Sequence, residues 1–94
     1  MPMKQINTQI KTTDPQRIMK RLSKHWAHKL DVALEDNRST ITLPMGECLL
    51  SCHEQILEVQ LTANTDEDLT TLKNVVADHL ERMAKPEELN IQFN

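Results

Sequence analysis

Along the first dozen residues Ile6, Thr8 and Ile10 fall at every second position among Asn7, Gln9 and Lys11, the period of a half-buried strand. Thr13-Asp14-Pro15 follows, with N-cap candidates ahead of a proline in the first helical turn, where its missing N–H costs nothing. A helix is predicted over about residues 15–28, with Ile18, Met19, Leu22 and Trp26 on one face and Arg17, Lys20 and Lys24 outside it. Leu30, Val32 and Leu34 then alternate up to the turn residues Asp36-Asn37-Arg38-Ser39, and Thr40-Ile41-Thr42-Leu43 resumes the alternation, which predicts a hairpin. Pro44-Met45-Gly46 breaks the ladder, with Gly46 expected to bend the chain at positive φ. Residues 48–52 and 56–61 read as two more strands across a His53-Glu54-Gln55 turn. Asp66-Glu67-Asp68 suits the positive end of a helix dipole, and Leu69, Leu72, Val76, Leu80 and Met83 follow at helical spacing, so a second helix is predicted over about 66–84. Lys85-Pro86 ends it, and Leu89, Ile91 and Phe93 alternate as a final strand.

The predicted order is β-α-β-β-β-β-α-β. Two amphipathic helices that must each bury one stripe, and strands that must bury one face, give an α+β fold: a two-layer sandwich with both helices on one side of a mainly antiparallel sheet. Ile18, Leu22, Trp26, Leu69, Leu72, Val76, Leu80 and Met83 are its expected helical core. No repeat or linker interrupts the chain, so residues 1–94 are expected to form a single domain.

Composition narrows the chemistry. The chain is 38% hydrophobic and 27% charged, with no apolar run near the roughly 18 residues of a membrane helix. A single glycine, Gly46, rules out the glycine-rich loops that bring backbone N–H groups onto nucleotide phosphates. Two aromatic residues, Trp26 and Phe93, make no base-stacking platform, so nucleic acid is not an expected partner. The first residues carry no apolar leader, and the expected compartment is the cytoplasm. Cys48 and Cys52 share a strand face four residues apart, about 13 Å, too far for a disulfide or a shared metal, and read as buried thiols. The net charge is −3, but from Lys4 to Lys29 seven basic residues face Asp14 alone, whereas from residue 31 onward four face thirteen carboxylates. A basic first helix therefore sits on an acidic body, its flank read as a solvated face.

The candidate chemistry lies at two places. Lys24-His25-Trp26-Ala27-His28-Lys29 sets His25 and His28 three residues apart on one helical flank, where they could grip one metal ion or one anionic group. No H-E-x-x-H, C-x-x-C or EF-hand pattern supplies further metal donors, and paired histidines also suit a helix C-terminus for their charge alone. His79 falls inside the apolar stripe of the second helix and needs a polar partner there, with Arg82 one turn away to complete an anion site. Its alternative role is a core histidine satisfied by a backbone carbonyl.

The segments Leu22–Val32 (LSKHWAHKLDV), Ile41–Leu50 (ITLPMGECLL) and Val75–Phe93 (VVADHLERMAKPEELNIQF) resemble the bacterial family called domain of unknown function 2218 over nearly the whole chain. The family's motifs fall on His25, Trp26, His28, Lys29, Gly46, His79, Leu80 and Arg82. Met83, Lys85-Pro86 and Phe93 depart from it, as packing changes that leave this polar set intact. The resemblance carries no established activity. It implies an association with siderophore-interacting, flavin-dependent ferric reductases. The expected function is thus a small accessory or binding domain in iron-siderophore handling, with His25, His28, Lys29, His79 and Arg82 meeting an anionic or metal-bearing ligand, and with His25 and His28 as metal donors. Two other classes stay open: an interaction module docking its basic helix on an acidic partner such as a reductase, and an enzyme using His79 as general base.

Overall fold

The computed structural model describes residues 3–93; Met1, Pro2, where the leader was sought, and Asn94 lie outside the described residues. Strand β1 (Lys4–Lys11) is followed by helix α1 (Pro15–Trp26), strands β2 (Asp31–Leu34), β3 (Arg38–Leu43), β4 (Gly46–His53) and β5 (Ile56–Ala63), and helix α2 (Asp66–Ala84). The strands form one antiparallel sheet in the order β1-β5-β4-β3-β2. Strands β2 to β5 are a meander. Helix α1 carries the chain across the sheet from β1 to β2 at the opposite edge, and α2 returns over β5 and β1, so both helices cover one face as the patterns require.

Local chemistry sets each helix start. Asp14 Oδ1 accepts the Arg17 N–H at 3.1 Å ahead of Pro15, and Thr65 Oγ1 accepts the Asp68 N–H at 3.1 Å ahead of the acidic first turn of α2. Ile18, Leu22, Trp26, Leu69, Leu72, Val76 and Leu80 are buried against Ile10, Ile41, Cys48, Leu50, Leu57, Val59 and Leu61 of the sheet. Within this layer the hydroxyls of Ser23 and Ser39 pair at 2.7 Å and join α1 to β3.

Four sequence expectations need correction. Helix α1 stops at Trp26 rather than 28, because the Trp26 carbonyl accepts both the Lys29 and Leu30 N–H groups and turns the chain toward β2. Gly46 does not have positive φ; it is needed for space, since a Cβ there would stand 2.3 Å from the carbonyl oxygen of Thr62. Met83 is only half-buried, at the margin of the stripe. The final strand does not form: residues 88–93 make no ladder, although Leu89, Ile91 and Phe93 pack half-buried against the core and the Thr8 hydroxyl donates to the Gln92 carbonyl at 2.5 Å. Alternation there records burial of alternate side chains without backbone pairing. No described helix is long and apolar enough to cross a membrane.

Candidate functional site

Helices α1 and α2 run antiparallel, and the seam between them is built by a row on α1 at four-residue spacing, Arg17, Arg21 and His25, which meet Ala84, Met83 and His79 in turn. Arg17 Nη2 donates to the Ala84 carbonyl at 3.4 Å and Arg21 Nη1 to the Met83 carbonyl at 3.0 Å. These guanidinium groups satisfy carbonyls that the last turn of α2 leaves without intrahelical partners, at the negative end of its dipole. The basic flank is therefore not a wholly solvated face. Lys20 and Lys24 remain exposed.

One step further along the row, the His25 ring lies 5.5 Å from that of His79, tilted by 48°. The Trp26 ring lies 4.8 Å from His79 on its other contact and is itself only 8% exposed, which makes it a buried wall behind the pair. His79 is half-buried at the seam rather than enclosed between helix and sheet, because Val76 and Leu80 take the sheet-facing positions of its turn. Its Nδ1 is 2.7 Å from the Val75 carbonyl. A carbonyl only accepts, so Nδ1 carries the proton and donates, and in the neutral ring Nε2 is left with its lone pair free for another partner.

The other members of the expected set are less gathered. His28 and Lys29 are exposed in the turn after α1, and their side chains make no hydrogen bond or ion pair among the described residues. Arg82 is taken up by Asp78, one turn back on α2, with Nη2 to Oδ2 at 3.0 Å. The contact of His25 is thus with His79 on the neighbouring helix. Among the described residues no group of three or more His, Cys, Asp and Glu side chains is gathered to hold a metal ion.

Both thiols are held toward the protonated form. Burial pushes Cys48 up to about 12, and Cys52 is raised by partial burial and by Asp14, against the opposing charge of Lys20. Cys52 Sγ lies 3.6 Å from Met19 Sδ. His53 sits 3.9 Å from Glu58 on the uncovered side of the sheet, apart from both cysteines.

Sequence reading missed Glu87. Its carboxylate accepts from the Thr12 hydroxyl at 2.6 Å, the Thr13 N–H at 3.2 Å and the Thr13 hydroxyl at 3.4 Å, tying the segment after α2 to the β1–α1 loop. These bonds, the Thr12 hydroxyl first, hold its carboxyl below the usual range, with Arg17 adding to the effect. A carboxylate beyond a helix end has no periodic signature to mark it. A groove of about 680 Å³ opens beside it, between Thr12, Thr13 and His53. Glu87 on that wall is already satisfied, and Lys11, His53, Glu54 and Gln55 line the rest of the groove.

The sequence profile of a family described as "Uncharacterized protein conserved in bacteria (DUF2218)" matches residues 7–94. The chain is also similar to a solved NMR structure, that of PA4090 from Pseudomonas aeruginosa, with 34% identity, a TM-score of 0.80, and coverage of 96% of this chain and 94% of that one. No curated protein matches the chain.

Proposed function

The chain belongs to the bacterial family known as domain of unknown function 2218, and from that premise we propose that it is a binding domain whose α1–α2 seam receives a negatively charged, metal-bearing ligand. The observation that carries this reading is the state of His79. Metal-bound histidines as a rule donate their second ring N–H to a carboxylate or a backbone carbonyl, which fixes the tautomer and aims the other nitrogen at the metal. The 2.7 Å bond from His79 Nδ1 to Val75 is of that kind. Two imidazoles on one metal, with metal–nitrogen bonds of about 2.0–2.1 Å, hold their centroids about 4.5–5.2 Å apart for angles between right and tetrahedral. His25 and His79, at 5.5 Å, need to close by about 1 Å or less.

Two nitrogens do not complete a coordination sphere, so the metal arrives with its other donors already supplied. The neighbourhood selects the charge of that complex. Helix α1 carries Arg17, Lys20, Arg21 and Lys24 and no carboxylate, and His28 and Lys29 follow in the turn. On the α1 side a bare cation is repelled and an anionic chelate attracted; on the α2 side Asp78, paired with Arg82, and Glu81 flank His79 and reduce that preference. An anionic ferric chelate is the ligand of this class that fits the iron-siderophore handling implied by the resemblance, with a siderophore-interacting reductase as the partner. The same reading takes the chain as one cytoplasmic domain in which His25, His28, Lys29, His79 and Arg82 meet the ligand, without a catalytic step.

A second reading keeps the exposure of Lys20 and Lys24: α1 docks on an acidic protein such as that reductase. Salt separates the two, since docking through exposed charges weakens steeply with ionic strength and inner-sphere coordination does not.

The test is titration of the untagged protein with copper(II) nitrilotriacetate, an anionic chelate that leaves coordination positions open, followed by the fluorescence of Trp26. This is the chain's one tryptophan and lies 4.8 Å from His79, so a paramagnetic metal at the seam quenches it. Saturable quenching in the wild type, lost in His79→Ala, is expected. Unchanged quenching in that variant contradicts the reading.

A further inference from the structure

We propose that, where no chelate supplies the remaining donors, two copies of this chain share one zinc-class divalent ion, His25 and His79 of each copy supplying its four nitrogens. The inference rests on the reading of the seam as a two-nitrogen half-site and adds to it the identity of what completes the site. A closed zinc site is four-coordinate and tetrahedral, and its centroid separation of about 5.2 Å is the value nearest to the 5.5 Å between these rings. Within one copy the set stops at two, since no third donor is gathered with them among the described residues. The pair faces outward from the helical layer, with His25 exposed, so a second copy can approach it.

Symmetry and charge then choose one arrangement. A two-fold axis makes an interface from the same patch on both copies. An axis across the helices would set α1 on α1, four cations against four, because Arg17, Lys20, Arg21 and Lys24 have no acidic companion on that helix. An axis along the seam instead sets α1 of each copy on α2 of the other. Helix α2 carries Asp66, Glu67, Asp68, Asp78 and Glu81 against Lys73 and Arg82. At the level of α1 the α2 carboxylates are Asp78 and Glu81, since Asp66, Glu67 and Asp68 lie past the end of α1; these two meet the cations of the other copy's α1 and, beside His79 in each copy, offset the repulsion that α1 exerts on a bare cation. The metal closes an interface with no exposed apolar patch among the described residues of this seam: the exposed large hydrophobic residues among them are Met3, just before β1, and Leu34, at the end of the edge strand β2.

The experiment is light scattering of the untagged protein with half an equivalent of zinc, with metal content measured on the separated species. The expected result is a doubling from the 10.9 kDa of one chain, one zinc per two chains, and reversal by a chelator. His25→Ala and His79→Ala should each remain monomeric, with unchanged helical circular dichroism showing that they fold, and Lys24→Glu should weaken the doubling at least several-fold. Zinc bound one per chain without a change of mass overturns the shared site and leaves the half-site standing. No bound zinc, together with no quenching by the copper chelate, overturns both. Doubling that survives either histidine substitution also overturns the proposal.

Discussion

Arg21 on α1 donates to the carbonyl of Met83 on α2 at 3.0 Å, across 62 residues of sequence. With Arg17 it brings positive charge to the negative end of α2, so part of what holds the two helices in register is a cap supplied by a neighbouring helix. Arg21→Ala is expected to lower stability by about 0.5–1.5 kcal/mol, the range of a hydrogen bond made at the surface. Lys20→Ala, on the solvated side of the same helix, should stay within about 0.5 kcal/mol of wild type. Urea denaturation of the two variants gives the comparison.

Ser23 and Ser39 are 1% and 0% exposed, and each hydroxyl has the other as its partner. Ser23→Ala alone leaves a buried hydroxyl unpaired and should cost about 1–3 kcal/mol. The double variant with Ser39→Ala should cost less than the two single losses together, because it removes both polar groups at once. Strict additivity in a denaturation cycle contradicts this pairing.

Gly46→Ala meets the Thr62 carbonyl oxygen, a backbone atom, with Leu72 and Ala63 also within contact range. Since φ at Gly46 is not positive, the loss reports crowding alone. It should reach at least about 1–3 kcal/mol, the cost of an overpacked site, measured as a fall in the denaturation midpoint at constant slope.

Glu87 has a carboxyl held below the 4.5 of its ordinary state, chiefly by the Thr12 hydroxyl. A depressed carboxyl contributes stability that is present above its unfolded value and is lost as pH falls from there through the lower folded value. Below about pH 4.5 the segment from Lys85 onward should therefore loosen from the β1–α1 loop. In Glu87→Gln this acid-dependent step disappears and the amides of residues 87–93 exchange faster already at neutral pH. Equal acid dependence in both proteins, followed by amide exchange, contradicts the assignment.

The parts of this fold that are legible in sequence are those written by local rules. Period two at Ile6, Thr8 and Ile10, the Asp14-Pro15 start, and the acidic turn at Asp66 all correspond to elements in place. Gly46 shows where such rules stop: a glycine that spares a backbone contact and one that takes positive φ look alike in sequence. Leu89, Ile91 and Phe93 show a second limit, because alternation reports which side chains face the core and is silent on whether the backbone finds a partner strand. Position 79 lies beside Val76 and Leu80 on the wheel, so periodicity placed His79 in the stripe, and only packing of α1 against α2 decides that it meets His25. The Glu87–Thr12 bond spans 75 residues and has no local signal at all.

The central claim is that His25 and His79 act on one binding event. Calorimetric titration of copper(II) nitrilotriacetate into wild type, His25→Ala, His79→Ala and the double variant measures it directly. Donors to one metal are strongly coupled, so each single substitution should remove most of the affinity and the double variant should be scarcely weaker than either single one. Two losses that simply add, or a His79→Ala protein that binds as wild type does, contradict the claim.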